Sequence, residues 1–142
     1  MKILVDTNVL LDVLAKREPY YENSAMIWSL AESGRIDAYI SSISFNNIFY
    51  IVRKLEDAEK AFQAMMFLRD VFKPVAPDAQ IINQAIDTKM EDFEDAIQYV
   101  SATRAQVDFL VTRNPDDFHH GPIPVCTPAE FLALFETEGM SG

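Results

Sequence analysis

Three stretches of this chain carry acids in settings that could support chemistry. In the first, Asp6 ends the apolar run Ile3-Leu4-Val5 and is followed by Thr7 and Asn8. The second, KMEDFEDAIQYVSATRA, places Asp92 and Asp95 three residues apart, neighbours on one face of a helix. In the third, VDFLVTRNPDDF, the run Phe109-Leu110-Val111 passes into Thr112, Arg113 and Asn114, and Asp116 and Asp117 follow. An all-oxygen set built from such acids suits Mg²⁺ or Mn²⁺. Ions of this kind turn water into a nucleophile and hold the oxygens of a displaced phosphate. Each acid also has a plainer use. Asp6 or Thr7 can cap a helix, Asp92 is a good N-cap, and acids in a first turn suit the helix dipole. Asn-Pro-Asp-Asp is ordinary turn composition.

Whether the acids meet depends on the elements that carry them. Short β-branched runs predict strands over 2–5, 37–41, 108–112 and 123–126, with an extended piece near 73–76. Helical spacing predicts helices over 7–16, 20–33, 44–55, 57–71, 78–89, 93–105 and 128–137. Pro19, Pro77 and Pro128 stand at or next to helix starts, and Gly34 suits the stop after the second helix. Strands alternating with helices imply a parallel sheet covered on both faces, an α/β fold of three α/β/α layers in one domain spanning 1–142. In a parallel sheet all the strand carboxyl ends lie along one edge. Asp6, Asp95 and one of Asp116 or Asp117 can therefore share a cleft there. The stripe Ala58, Ala61, Phe62, Met65, Met66 and Phe72 reads first as core. With Phe45, Ile48, Phe49 and Val52 it forms a helical hairpin whose Phe and Met content also suits a dimer or protein partner.

Composition narrows the class. No run approaches the ~18 apolar residues of a membrane span, and the N-terminus lacks the layout of a signal peptide. The lone Cys126 excludes an internal disulfide and a Cys-rich zinc site, and reads as a small buried hydrophobe. These features point to the cytoplasm and away from membranes. A net charge of −10 argues against a nucleic-acid partner, unless carboxylates gathered around divalent ions invert the local field.

Taken together, ILVDTNVLLDVL, ISSISFNNIFYIVRK, DFEDAIQYVSA and DFLVTRNPDDF resemble the PIN-domain ribonucleases, the family containing VapC-type toxins, along nearly the whole chain. The resemblance implies a five-stranded parallel sheet, Mg²⁺ or Mn²⁺ held by acids, hydrolysis of RNA and, for a toxin, a small antitoxin protein. Motif by motif, Asp6 matches the family's first acid, Asp95 the helix-borne acid and Asp117 the acid preceding phenylalanine. These three are the expected catalytic and metal-binding residues. Asp92 and Asp116 are accessory acids, and Thr112 orients Asp6 or a water. Asn114 stands after Thr-Arg, where many members carry Asp. Asn47 is the best match for a glutamate of the third-helix motif. An amide ligates a metal only through its carbonyl oxygen, so these two replacements weaken the expected site unless Asp92 turns inward.

Two functions of different class follow. One is a metal-dependent endoribonuclease. The other is a PIN-like module that binds RNA or protein without cutting, motivated by Asn47 and Asn114. An aspartyl phosphatase or receiver domain would also place an acid after the first strand. It fits less well, because Asn8 stands where an acid–base Asp is wanted and no late Lys follows a strand. Arg113 reads either as a phosphate contact or as a solvated arginine, and His119 and His120 as surface loop residues.

Overall fold

A computed structural model describes residues 1–118 and 121–139. His119 and His120, and the chain beyond 139, lie outside the described residues. Among the described residues, five strands form one parallel sheet: β1 (Lys2–Val5), β2 (Asp37–Ser41), β3 (Lys73–Val75), β4 (Phe109–Val111) and β5 (Val125–Cys126). Their order across the sheet is β3-β2-β1-β4-β5. The chain builds outward from β1 in one direction and then returns to add β4 and β5 on the other side. The switch point lies between β1 and β4, where Ile3 pairs with Phe109 and Val5 with Val111. A crevice opens at the carboxyl ends of strands at such a point.

Seven helices among these residues connect or flank the strands: α1 (Thr7–Leu14), α2 (Tyr21–Glu32), α3 (Ser42–Leu55), α4 (Ala58–Val71), α5 (Ala79–Thr88), α6 (Phe93–Ala105) and α7 (Pro128–Gly139). The period of two along β1 divides the core. Ile3 and Val5 face a cluster with Val9, Leu10, Ile27, Ile48, Leu68 and Phe131, from α1, α2, α3, α4 and α7. Leu4 points the other way, against Tyr99 and Ala102 of α6. α5 completes that second layer, with Ile81 and Ala85 packed on Ala96, Ile97 and Val100. The three-layer arrangement expected from the alternation of strands and helices is the one observed.

Local chemistry sets the helix ends. Asp57 and Asp78 cap α4 and α5 by accepting from Lys60 N and Ile81 N. The Ser41 hydroxyl accepts from Ile43 N, so α3 begins at Ser42, earlier than its apolar spacing suggests. Gly34, at φ +79°, ends α2 in the left-handed region with its N–H on Ala31 O. Cys126 is buried and unpaired, and burial pushes its thiol up to about 12.

α3 and α4 form the expected hairpin, with Phe49 and Phe62 edge to face at 5.0 Å. The α4 stripe divides. Ala61, Ala64 and Leu68 are buried and Met65 packs on the core, whereas Phe62, Met66 and Phe67 are more than half exposed. With Tyr50 and Leu55 of α3 they leave the hairpin's outer face apolar. Among the described residues, no helix is long and apolar enough to cross a membrane.

Candidate metal centre

Asp6 occupies the N-cap position of α1, yet its carboxylate makes no cap hydrogen bond. It is held instead by the sheet and by α6. Thr112 Oγ1, just beyond β4, donates to Asp6 Oδ2 at 2.9 Å, and Gln98 Nε2 of α6 donates to Oδ1 at 2.9 Å. Gln98 is fully buried and also accepts from Thr7 N at 3.2 Å, so one amide ties α6 to the start of α1. The Asp6 backbone N–H donates to Val111 O at 2.9 Å, closing β1 on β4 at the switch point.

α6 brings in the other acids. Asp92 is its N-cap and accepts from Asp95 N at 3.0 Å, so one oxygen of this expected accessory acid is engaged in capping. The first turn then presents Glu94 and Asp95. Carboxylate oxygens of Asp6, Glu94 and Asp95 all lie within 4.8 Å of one another. Glu94 is the member that sequence reasoning missed. Gln98 was missed as well, although it sits four residues after Glu94 and three after Asp95, on the same helical face.

The remaining expected residues surround this cluster. Asn47 of α3 reaches it directly, its Nδ2 donating to Glu94 Oε2. The Thr7 and Ser44 hydroxyls hydrogen bond at 2.7 Å and hold α3 against α1 one turn before Asn47. Asp116 and Asp117 lie on a single 3-10 turn (Pro115–Asp117) and are exposed. They line a cleft of about 590 Å³ with Asp92 and Asp95, and Asp117 stands outside the close group of three. Asn114 is exposed, and its backbone N–H donates to Thr112 Oγ1 at 3.3 Å. A second cleft, of about 460 Å³, is lined by Glu94 together with Thr7, Asn8, Asn46, Asn47 and Tyr50.

Arg113 is not a solvated arginine. Its Nε lies 3.2 Å from Asp12 Oδ2, with Asp12 fully buried, and its guanidinium sits 4.3 Å from the ring centre of Tyr20. This clasp fastens the β4 exit to α1. It also leaves the acid cluster without a cation, for among the described residues no Lys or Arg pairs with Asp6, Glu94 or Asp95.

The electrostatics follow. Burial raises the Asp6 carboxyl above its usual range, opposed by the hydrogen bonds from Thr112 and Gln98. Burial raises Glu94 too, reinforced by the charges of Asp6 and Asp92. Asp95 is pushed up to about 7, by burial first and then by Asp6, Asp92, Glu94 and Asp117. Three close carboxylates without a counter-ion repel one another, and a hard divalent cation reverses that repulsion. The donors are all oxygen, so the set fits Mg²⁺ or Mn²⁺.

A parallel α/β sheet of order 3-2-1-4-5 with acids gathered at its switch point defines a class of domain. A PIN domain family model matches residues 2–116, and the chain belongs to that family. Its fold is shared by DNA-bound VapBC from Salmonella typhimurium, at 20% identity and TM-score 0.70 over 90% of this chain and 98% of that one. A toxin–antitoxin complex from Klebsiella pneumoniae matches at 22% identity and TM-score 0.67, over 89% and 97%. VapC20 of Mycobacterium tuberculosis, a Sarcin-Ricin loop cleaving toxin, matches at 14% identity and TM-score 0.63, over 76% and 86%. No curated protein sequence matches this chain.

Proposed function

We propose that this protein is an Mg²⁺- or Mn²⁺-dependent endoribonuclease acting at the crevice between β1 and β4. The observation that carries the reading is the convergence of Asp6, Glu94 and Asp95 within 4.8 Å at the strand ends, with no cation among the described residues to neutralise them. When bound, the divalent ion supplies Lewis-acid stabilisation of the phosphate and lowers the pKa of water.

The chain's own part is positioning. Asp6, with each oxygen already accepting one hydrogen bond, would be a fixed ligand with lone pairs to spare for the ion. Asp95, less buried than Asp6, would hold the ion from the α6 side and could accept the proton of an attacking water. Asp117 faces the same cleft from the 3-10 turn and serves as the outer acid, with Asp92 and Asp116 adding negative potential. Attack on phosphorus in line with the leaving ribose oxygen forms one P–O bond and breaks another, and the water's proton leaves through the acids. The test is cleavage of RNA by purified protein with Mg²⁺ or Mn²⁺, and its loss in Asp6→Asn. RNA binding without cleavage that persists in EDTA would support the binding-module reading instead.

The toxin of a toxin–antitoxin pair is the biological role that accords with the family and with the apolar hairpin. Tyr50, Leu55, Phe62, Met66 and Phe67 form a surface that an antitoxin segment would cover. Light scattering of the purified chain tests this: a monomer leaves the face free for an antitoxin, and a homodimer assigns it to self-association.

A further inference from the structure

We infer that Glu94 is the third carboxylate of the metal centre, standing in for an acid that α3 does not supply, and that Asn47 is the positioning residue that holds it there. The inference rests on the metal-dependent reading above and assigns two residues within it. Glu94 lies in the close group with Asp6 and Asp95, and the α3 side chain that reaches this group is the neutral Asn47. Its amide nitrogen donates to Glu94 Oε2, which is the interaction that draws a carboxylate inward against the repulsion of two others. The Thr7–Ser44 hydrogen bond fixes α3 at the height that makes this contact possible. Glu94 precedes Asp95 on α6, so the first turn of one helix delivers two acids, and the loss of a charge on α3 leaves the total unchanged. Glu94 also lines the amide-rich cleft with Asn8, Asn46 and Asn47. A substrate strand in that cleft would meet the hydrogen-bonding amides of these three residues beside a single acid.

The experiment is isothermal titration of Mn²⁺ into the wild-type chain, Asp6→Asn, Glu94→Gln, Asn47→Ala and the exchange Asn47→Glu/Glu94→Gln, with metal-free melting curves of each. Losing a ligand in Glu94→Gln should weaken Mn²⁺ binding by about 100-fold, and losing its partner in Asn47→Ala by about 10-fold. The exchange, which returns a carboxylate to α3, should recover most of the affinity. Metal-free Glu94→Gln should melt at or above the wild-type temperature, since it removes repulsion, and a merely structural glutamate would not combine unchanged folding with lost affinity. If wild type binds, Asp6→Asn does not, and Glu94→Gln binds like wild type, the assignment of Glu94 is wrong while the metal centre stands. If Asn47→Ala binds like wild type, the positioning role is wrong. If wild type shows no binding at millimolar Mn²⁺, the metal-dependent reading fails and this inference fails with it.

Discussion

Replacing Asp95 by asparagine should stabilise the metal-free protein at pH 8 and change it far less at pH 4. The Asp95 carboxyl moves from 3.8 to about 7 on folding, because burial and then Asp6, Asp92, Glu94 and Asp117 oppose its charge. The folded chain therefore holds a proton that the unfolded chain releases between those values. Stability from this group is fully present below pH 3.8, falls as pH rises, and is gone above about 7. The full shift corresponds to about 4 kcal/mol, and water reaching the partly buried side chain reduces this to about 2 kcal/mol. The asparagine side chain carries no charge at either pH, so the variant escapes the loss. At the size of this domain the gain is about 7 °C in melting temperature.

The assay is thermal melting of both chains in EDTA from pH 4 to pH 8, repeated with Mn²⁺. The two curves should lie close together at the acid end, separate further between pH 4 and 7, and run parallel above. Mn²⁺ should raise the wild-type melting temperature and leave Asp95→Asn nearly unmoved, since only a ligand that binds the native state stabilises it. Equal stabilities at pH 8, or an asparagine variant that melts lower, would refute the claim that the acids are held together against their repulsion.

Three substitutions test the frame that positions the site. Gln98→Leu keeps the volume but strands Asp6 Oδ1 and Thr7 N, so urea denaturation should show a loss of about 2–4 kcal/mol, and Mn²⁺ titration a weaker site. Asp12→Ala leaves the Arg113 guanidinium without its buried partner and should cost about 3 kcal/mol, against little change for an exposed acid such as Glu59, also by urea denaturation. Gly121→Ala drives a Cβ into the Tyr99 hydroxyl, which accepts from Ile123 N, and the melting temperature should fall, with Tyr99→Phe recovering only part of the loss because the ring carbon Cζ remains 2.9 Å from that Cβ.

The fold is legible because each element carries its own signal. Apolar triplets mark the buried strands, and Asp57, Asp78 and Asp92 stand at helix starts that they do cap. Two helix boundaries differ where local chemistry decides them, Ser41 starting α3 early and α1 stopping at Leu14, short of the positive-φ Lys16, while β4 and β5 are shorter than the expected 108–112 and 123–126. Of the close group, Asp6 is legible because it follows a strand and Asp95 because it stands in the first turn of a helix. Glu94 sits in EDFED, which reads as a solvated first turn, and only the approach of α3 turns it inward. Gln98 is an amide flanked in sequence by the apolar Ile97 and Tyr99, and Asp12 a single acid among Leu10, Leu11 and Val13. Both are buried because of partners more than ninety residues away, Asp6 and Arg113. Pattern along the chain carries no trace of such pairings, although a polar residue on an apolar stripe is itself a sign that a partner exists.

The overall charge of −10 then makes a prediction of its own. Asp6, Glu94 and Asp95 form the cluster, and Asp92, Asp116 and Asp117 line the adjoining cleft. Arg113, three residues before Asp116, is committed to Asp12, and the residues lining the cleft set one cation, Lys89, against the five acids Glu91, Asp92, Asp95, Asp116 and Asp117. A polyanion approaching the metal-free crevice meets net negative charge, and this repulsion is strongest at low ionic strength. Single-stranded RNA should therefore show no measurable binding in EDTA, and raising salt in that buffer should not weaken what little there is. With Mn²⁺ present the sign of the local field inverts, binding should appear, and added salt should then diminish it. Fluorescence anisotropy of a labelled RNA, using Asp117→Asn to slow cleavage, separates the cases. Tight, salt-sensitive binding in EDTA would mean that a cationic surface elsewhere on the chain receives the RNA, and the acid crevice would no longer be the place where substrate is held.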